Sequence, residues 1–142
     1  MRKNIRFMAL VFLLGGIAIC KTAYGHGGED HDTPITMNAP KGGVVKTLEK
    51  TNVEVVAKGK EIFIYLYDKA MRPKSNSGFT VSAKAELPRS KKQEEIKLTS
   101  KETSYDATYD AKGLHRYTLL VAIKDPATGH DDRLKFTIEP KK

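Results

Sequence analysis

From Gly43 onward, apolar and polar residues alternate in short runs separated by turn-forming residues. Phe79, Val81, Ala83, Ala85 and Leu87 fall on one side of an extended run, and Thr80, Ser82, Lys84 and Glu86 on the other. Successive strand side chains point to opposite faces, so this spacing predicts a strand with one buried and one wet face. Tyr117, Leu119, Val121 and Ile123 repeat the pattern, as do Leu134, Phe136 and Ile138 against Lys135, Thr137 and Glu139. Shorter runs at 44–48, 51–56 and 105–109 predict three more strands, and Ile96 and Leu98 mark another. The run Glu61–Tyr67 is apolar on both faces, as expected of a central strand.

Turn chemistry separates these runs. Gly59-Lys60, the Lys69–Gly78 loop with Pro73 and Asn76-Ser77-Gly78, Pro88 with its charged successors, Ala111-Lys112-Gly113 and Asp125–Gly129 each interrupt pairing. The segment 90–101 is the ambiguous one, since the stretch from Lys91 to Lys97 also suits a helical turn. No segment sustains helical spacing over three turns. The whole predicts an all-β fold, an immunoglobulin-like antiparallel β-sandwich of about 7–8 strands. Antiparallel pairing is expected because connections of a few residues cannot carry parallel crossovers.

The first 42 residues follow no such rhythm. Arg2, Lys3 and Arg6 precede an apolar run from Phe7 to Cys20, and the small residues Ala23 and Gly25 follow. This is the layout of a secretory signal peptide, with cleavage expected after Gly25. The run is shorter than the 20 or so residues that a membrane span needs, and the expected mature chain has no span of its own. Cys20 raises lipid anchoring as an alternative, but bulky Ile19 before it argues against that processing. Residues 26–42, rich in Gly, Pro, Asp and Asn, are expected to form a flexible leader ahead of a domain at 43–142.

Processing changes the charge. The chain carries 25 Lys+Arg and 17 Asp+Glu, and four of the cations precede residue 26, so the mature net charge is +4. That balance, together with export to the periplasm, argues against a nucleic-acid partner. The single cysteine lies before the cleavage point, which leaves no disulfide or thiolate site in the mature chain.

No nucleophile-elbow, zinc-protease, P-loop or dinucleotide pattern occurs, and a non-enzymatic protein is expected. The chemistry worth pursuing is metal binding. His26-Gly27-Gly28-Glu29-Asp30-His31-Asp32 gathers two imidazoles and three carboxylates. After cleavage, the α-amine and imidazole of His26 would chelate Cu(II), with His31 as a further nitrogen and Asp30 and Asp32 beside it. His130, followed by Asp131 and Asp132, is a second group, and His115 lies near the Gly113 turn. Met37 is a soft donor near the leader. Imidazole suits copper and zinc alike, and the cluster has no fixed spacing that selects one. The competing reading is a soluble spacer. Phe63, Tyr65 and Tyr67 alternate on one side of their strand, either as a partner-binding face or as a surface packed beneath a loop.

Ala39-Pro40-Lys41-Gly42-Gly43-Val44, the run Val53–Val56 and the run Ile62–Asp68 together resemble small periplasmic domains associated with heavy-metal resistance-nodulation-division efflux systems and the N-terminal domains of their membrane-fusion adaptors. The resemblance covers most of residues 26–138 and is one of rhythm with few fixed residues. It implies an immunoglobulin-like sandwich, a periplasmic location and efflux proteins of the envelope as partners. Lys41 stands where that family's pattern carries histidine, and a protonated ammonium cannot ligate a metal.

Overall fold

The computed structural model describes residues 37–140. The expected signal peptide and the leader residues His26, Asp30, His31 and Asp32 lie outside the described residues. Among the described residues no helix is long and apolar enough to cross a membrane.

Among the described residues nine strands form, in chain order: β1 (Val44–Thr47), β2 (Asn52–Lys58), β3 (Glu61–Tyr67), β4 (Thr80–Glu86), β5 (Gln93–Ile96), β6 (Thr99–Ser100), β7 (Tyr105–Thr108), β8 (Tyr117–Lys124) and β9 (Asp131–Ile138). They make a β-sandwich. One sheet runs β1-β2-β3-β7-β6 and the other β5-β4-β8-β9, and every pairing is antiparallel. The inward faces meet in a continuous core. Val53, Val55, Ile62, Ile64, Leu66 and Tyr105 of the first sheet pack against Ala83, Ala85, Leu119, Val121, Ile123 and Phe136 of the second. Burying a side chain of this size contributes about 1.5–3 kcal/mol, so the core holds without a crosslink.

The expected alternations at 79–87, 117–123 and 134–138 are those of β4, β8 and β9, with the predicted apolar side turned inward. The ambiguous segment 90–101 holds no helix: Ser90 and Lys91 complete a turn, and two short strands follow. Ile96 and Leu98, read as one strand, mark a strand and a crossing instead: β5 pairs with β4, and the chain then passes to the other sheet as β6 beside β7. A two-residue strand at a sheet edge leaves too little alternation to be legible.

The outward face of β2 is not a wet one: its polar residues Asn52 and Glu54 are fully buried. They are covered by residues 37–43, which fold back across the first sheet, and by the Asp68–Pro73 loop after β3. Gly42 turns this cover at φ 76°, with its N–H donating to Ala39 O at 3.0 Å. At Gly43 a Cβ would collide with the Val55 carbonyl and approach Val56 Cγ2 to 2.8 Å, so only glycine permits this backbone to lie so close to β2.

Candidate functional site

Glu54 organises the outward face. Its Oε1 accepts the Gly43 N–H at 2.8 Å and the Lys41 N–H at 3.0 Å, while Oε2 accepts the Tyr67 hydroxyl at 2.8 Å. A carboxylate buried in this way costs several kcal/mol unless its oxygens are satisfied, and two backbone amides plus a phenol supply that satisfaction. Burial and the Glu54 hydrogen bond together hold the Tyr67 hydroxyl well above the ordinary tyrosine range, so it stays a donor. The Lys41 ammonium lies 5.7 Å over the Tyr65 ring, a cation–π contact. Of the aromatic stripe, Tyr67 is buried beneath the cover; Phe63 and Tyr65 are half-buried and stack at 6.5 Å.

Next to this clamp, two thioethers border one polar pair. Thr47 Oγ1 donates to Asn52 Oδ1 at 2.9 Å, and Asn52 Nδ2 donates to the Asp68 carbonyl at 2.9 Å and to Met71 Sδ at 3.1 Å. Met37 Sδ lies 3.7 Å from Thr47 Oγ1. A hydroxyl has a single proton, and the shorter bond to Asn52 takes it. Thr47 therefore only touches Met37, and the sulfur lone pairs there carry no hydrogen bond from it.

Met71 occupies the left-handed region at φ 61°, a conformation that non-glycine residues rarely adopt and that costs about 1–2 kcal/mol. The loop is held there by Asp68. Its Oδ1 accepts the Ala70 and Arg72 N–H groups at 2.8 and 2.9 Å, its Oδ2 accepts Arg72 Nε at 2.7 Å, and its carbonyl accepts the Met71 N–H at 3.0 Å. These bonds, led by the Arg72 N–H, hold the Asp68 carboxyl below the usual carboxylate range.

Asp110 is lowered likewise, chiefly by its bond to Lys60 at 2.7 Å. Burial pushes Asp106 up, but Lys101 and Ser104 outweigh it and leave the carboxyl low. A carboxyl depressed in the folded state adds stability above its unfolded value, about 3.9, and loses it as pH falls through the folded value. The urea midpoint is therefore expected to hold level from pH 7 to about 5 and to decline below about 4. A midpoint unchanged down to pH 2 would contradict these bonds.

His130 belongs to the same end of the sandwich. It opens β9, and its Nδ1 lies 3.9 Å from Glu49 Oε2 on the β1–β2 turn. Close by, buried Asp125 ties the two sheets: Oδ2 accepts Thr51 Oγ1 at 3.1 Å, and Oδ1 caps its own turn through the Ala127 N–H at 2.8 Å. His115 precedes β8 at the opposite end, so the two described histidines do not meet. Among the described residues no group of three or more His, Cys, Asp and Glu converges on one point. His130, Asp131 and Asp132 are thus not a preformed site by themselves. The sequence gives no signal for Met71, because the donor to its sulfur, Asn52, lies on β2, distant in sequence.

The amide clamp, the soft sulfur donors and the histidine define the arrangement's chemistry: a fixed platform beside the point where the chain enters the domain. Comparison with protein-family models, with characterised proteins and with solved structures finds no match to this chain.

Proposed function

We propose that this protein is an exported, non-enzymatic accessory of periplasmic metal-ion handling or efflux, which binds copper or zinc transiently through the leader that precedes its sandwich. The single observation that carries this reading is the placement of Met37 and Met71 on either side of the Thr47–Asn52 pair. Thioethers are soft ligands that favour Cu(I), whereas the leader's imidazoles and carboxylates favour Cu(II) and Zn(II). His26, Asp30, His31 and Asp32 lie a few residues upstream of Met37, so donors of both kinds share one short stretch of chain. The Glu54 clamp fixes the downstream end of that stretch at Lys41 and Gly43. The immunoglobulin-like arrangement of the sandwich and docking on an efflux complex belong to the same reading, supported by the resemblance of the Ala39–Val44 and Ile62–Asp68 runs.

The test is calorimetric and competitive titration of the protein beginning at His26. Cu(II) binding is expected to fall at least tenfold on His26→Ala with His31→Ala, and Cu(I) binding to fall at least tenfold on Met37→Leu with Met71→Leu. Imidazole ligation also predicts weaker Cu(II) binding as pH drops through about 6.5. Micromolar protein that takes up neither ion sinks the reading. A purely structural or protein-interaction module then stands ahead, favoured by the half-exposed Phe63–Tyr65 stack.

A further inference from the structure

At the end of the sandwich opposite Met71, a cleft of about 690 Å³ opens between the β4–β5 turn and the loop preceding β8. Pro88 and Arg89 form one wall, and Leu114, His115 and Arg116 the other, with Glu139 at the side. A second hollow of about 290 Å³ shares Arg89 and Arg116 and adds Lys91. The two arginines of this end are not spent on the fold. Among the described residues neither Arg89 nor Arg116 makes an ion pair or a side-chain hydrogen bond, and Lys91 reaches Glu86 only at 3.6 Å. Everywhere else the shorter ion pairs, such as Lys60–Asp110 and Arg72–Asp68, join groups that hold a loop or strand in place.

The backbone supplies a second, independent observation. Arg89 and Lys91 both lie in the left-handed region, at φ 69° and 54°, within a single turn. That turn is over-determined: Leu87 N donates to Lys92 O at 2.9 Å, Ser90 N to Pro88 O at 2.8 Å and Lys91 N to Leu87 O at 3.2 Å. Non-glycine strain of this kind persists where the surroundings enforce it, and it gathers at ligand-holding positions. Asparagine or glycine would fill such turn positions without strain, yet cations occupy both. Two exposed arginines lining one open hollow offer planar guanidinium donors to the oxygens of a tetrahedral anion.

We infer that the cleft between Arg89 and Arg116 binds an oxyanion of the phosphate or phosphoester class. The forks take the phosphate oxygens, His115 adds a ring N–H, and Lys91 adds charge from the adjoining hollow. Glu139 faces the same space with the opposite sign, so it limits the negative charge that the cleft tolerates and favours a singly charged phosphodiester or phosphate monoanion. Both a free phosphoester and the phosphate of a lipid headgroup carry this chemistry.

Two probes separate the sources on the protein beginning at His26: inorganic phosphate, followed by calorimetry and phosphorus NMR, and phosphatidylglycerol in phosphatidylcholine vesicles, followed by co-sedimentation. Saturable phosphate binding in the millimolar range is expected. Arg89→Ala and Arg116→Ala are each expected to weaken it at least about tenfold, and Glu139→Gln to tighten it severalfold. Lys50→Ala, at the opposite end, is expected to change nothing, and unchanged far-ultraviolet spectra show that the arginine variants are folded. Arginine-dependent binding of phosphate without vesicle binding assigns the cleft to soluble phosphoesters; arginine-dependent vesicle binding assigns it to lipid headgroups. Absence of binding to both probes overturns the inference, as does binding that survives both arginine substitutions.

Discussion

Glu54→Ala is expected to lower the unfolding free energy by about 3 kcal/mol, which for a domain of this size moves the thermal midpoint down by roughly 12–24 °C. The magnitude follows from what the substitution leaves behind. Two backbone N–H groups and the Tyr67 hydroxyl lose their acceptor at a fully buried position. Each unsatisfied buried donor costs about 1–3 kcal/mol, reduced here because the 37–43 cover can lift and let water in. Glu54→Gln retains the shape but turns an amide –NH₂ or a single carbonyl towards three donors, so it is expected to recover less than half of the loss. Urea melts of the three proteins measure this, and amide exchange at Lys41 and Gly43 reports the lifting directly. An alanine variant within 1 kcal/mol of the parent would mean that the carboxylate does not hold the cover.

Phe136→Ala is expected to cost about 3–5 kcal/mol, comparable to or larger than the first. The ring is fully buried although its strand is an edge of the second sheet, and it sits opposite Leu119 in register. Lys46 of β1 closes over it, with Nζ 5.8 Å from the ring centroid. Truncation opens a void between the β1 and β9 edges of the sandwich, where, among the described residues, neither strand has an outer neighbour to pull inward. Phe136→Leu fills most of that volume and is expected to cost less than about 2 kcal/mol. The two midpoints in one denaturant series decide it, and equal losses from both variants would show that ring volume is not what the site requires.

These two positions also mark what sequence can and cannot disclose. Phe136 was legible: an apolar residue between Lys135 and Thr137, in step with Leu134 and Ile138, declares its own side of the strand. The same held for β4 and β8, whose one-sided alternation needs no knowledge of the partner sheet. Glu54 carries the opposite lesson. It alternates correctly to the outward face, and its burial depends on a separate stretch of chain crossing that face, held by glycines that in sequence look like linker. Met71 is similar, since the donor to its sulfur, Asn52, lies on β2, far from it in sequence. The split of β5 from β6 failed for a different reason: Ile96 and Leu98 keep alternation while the chain changes sheets between them. Of the candidate ligands, His26, Asp30, His31 and Asp32 fall outside the described residues, and only His130 is seen, at the end that carries the two methionines.

The pairing of β4 with β8 has a consequence for how this protein comes into being. These two central strands of one sheet are separated by β5, β6 and β7, two of which belong to the opposite sheet. The sequential pairs β4–β5 and β8–β9 can form locally, but joining them into one sheet requires the β4–β8 pairing across that long intervening stretch. The chain must close a wide loop before the reward of that pairing arrives, which places it among the slow folders, on the order of milliseconds to seconds. Until then the inward valines, leucines and isoleucines that the two sheets bury against each other stay uncovered.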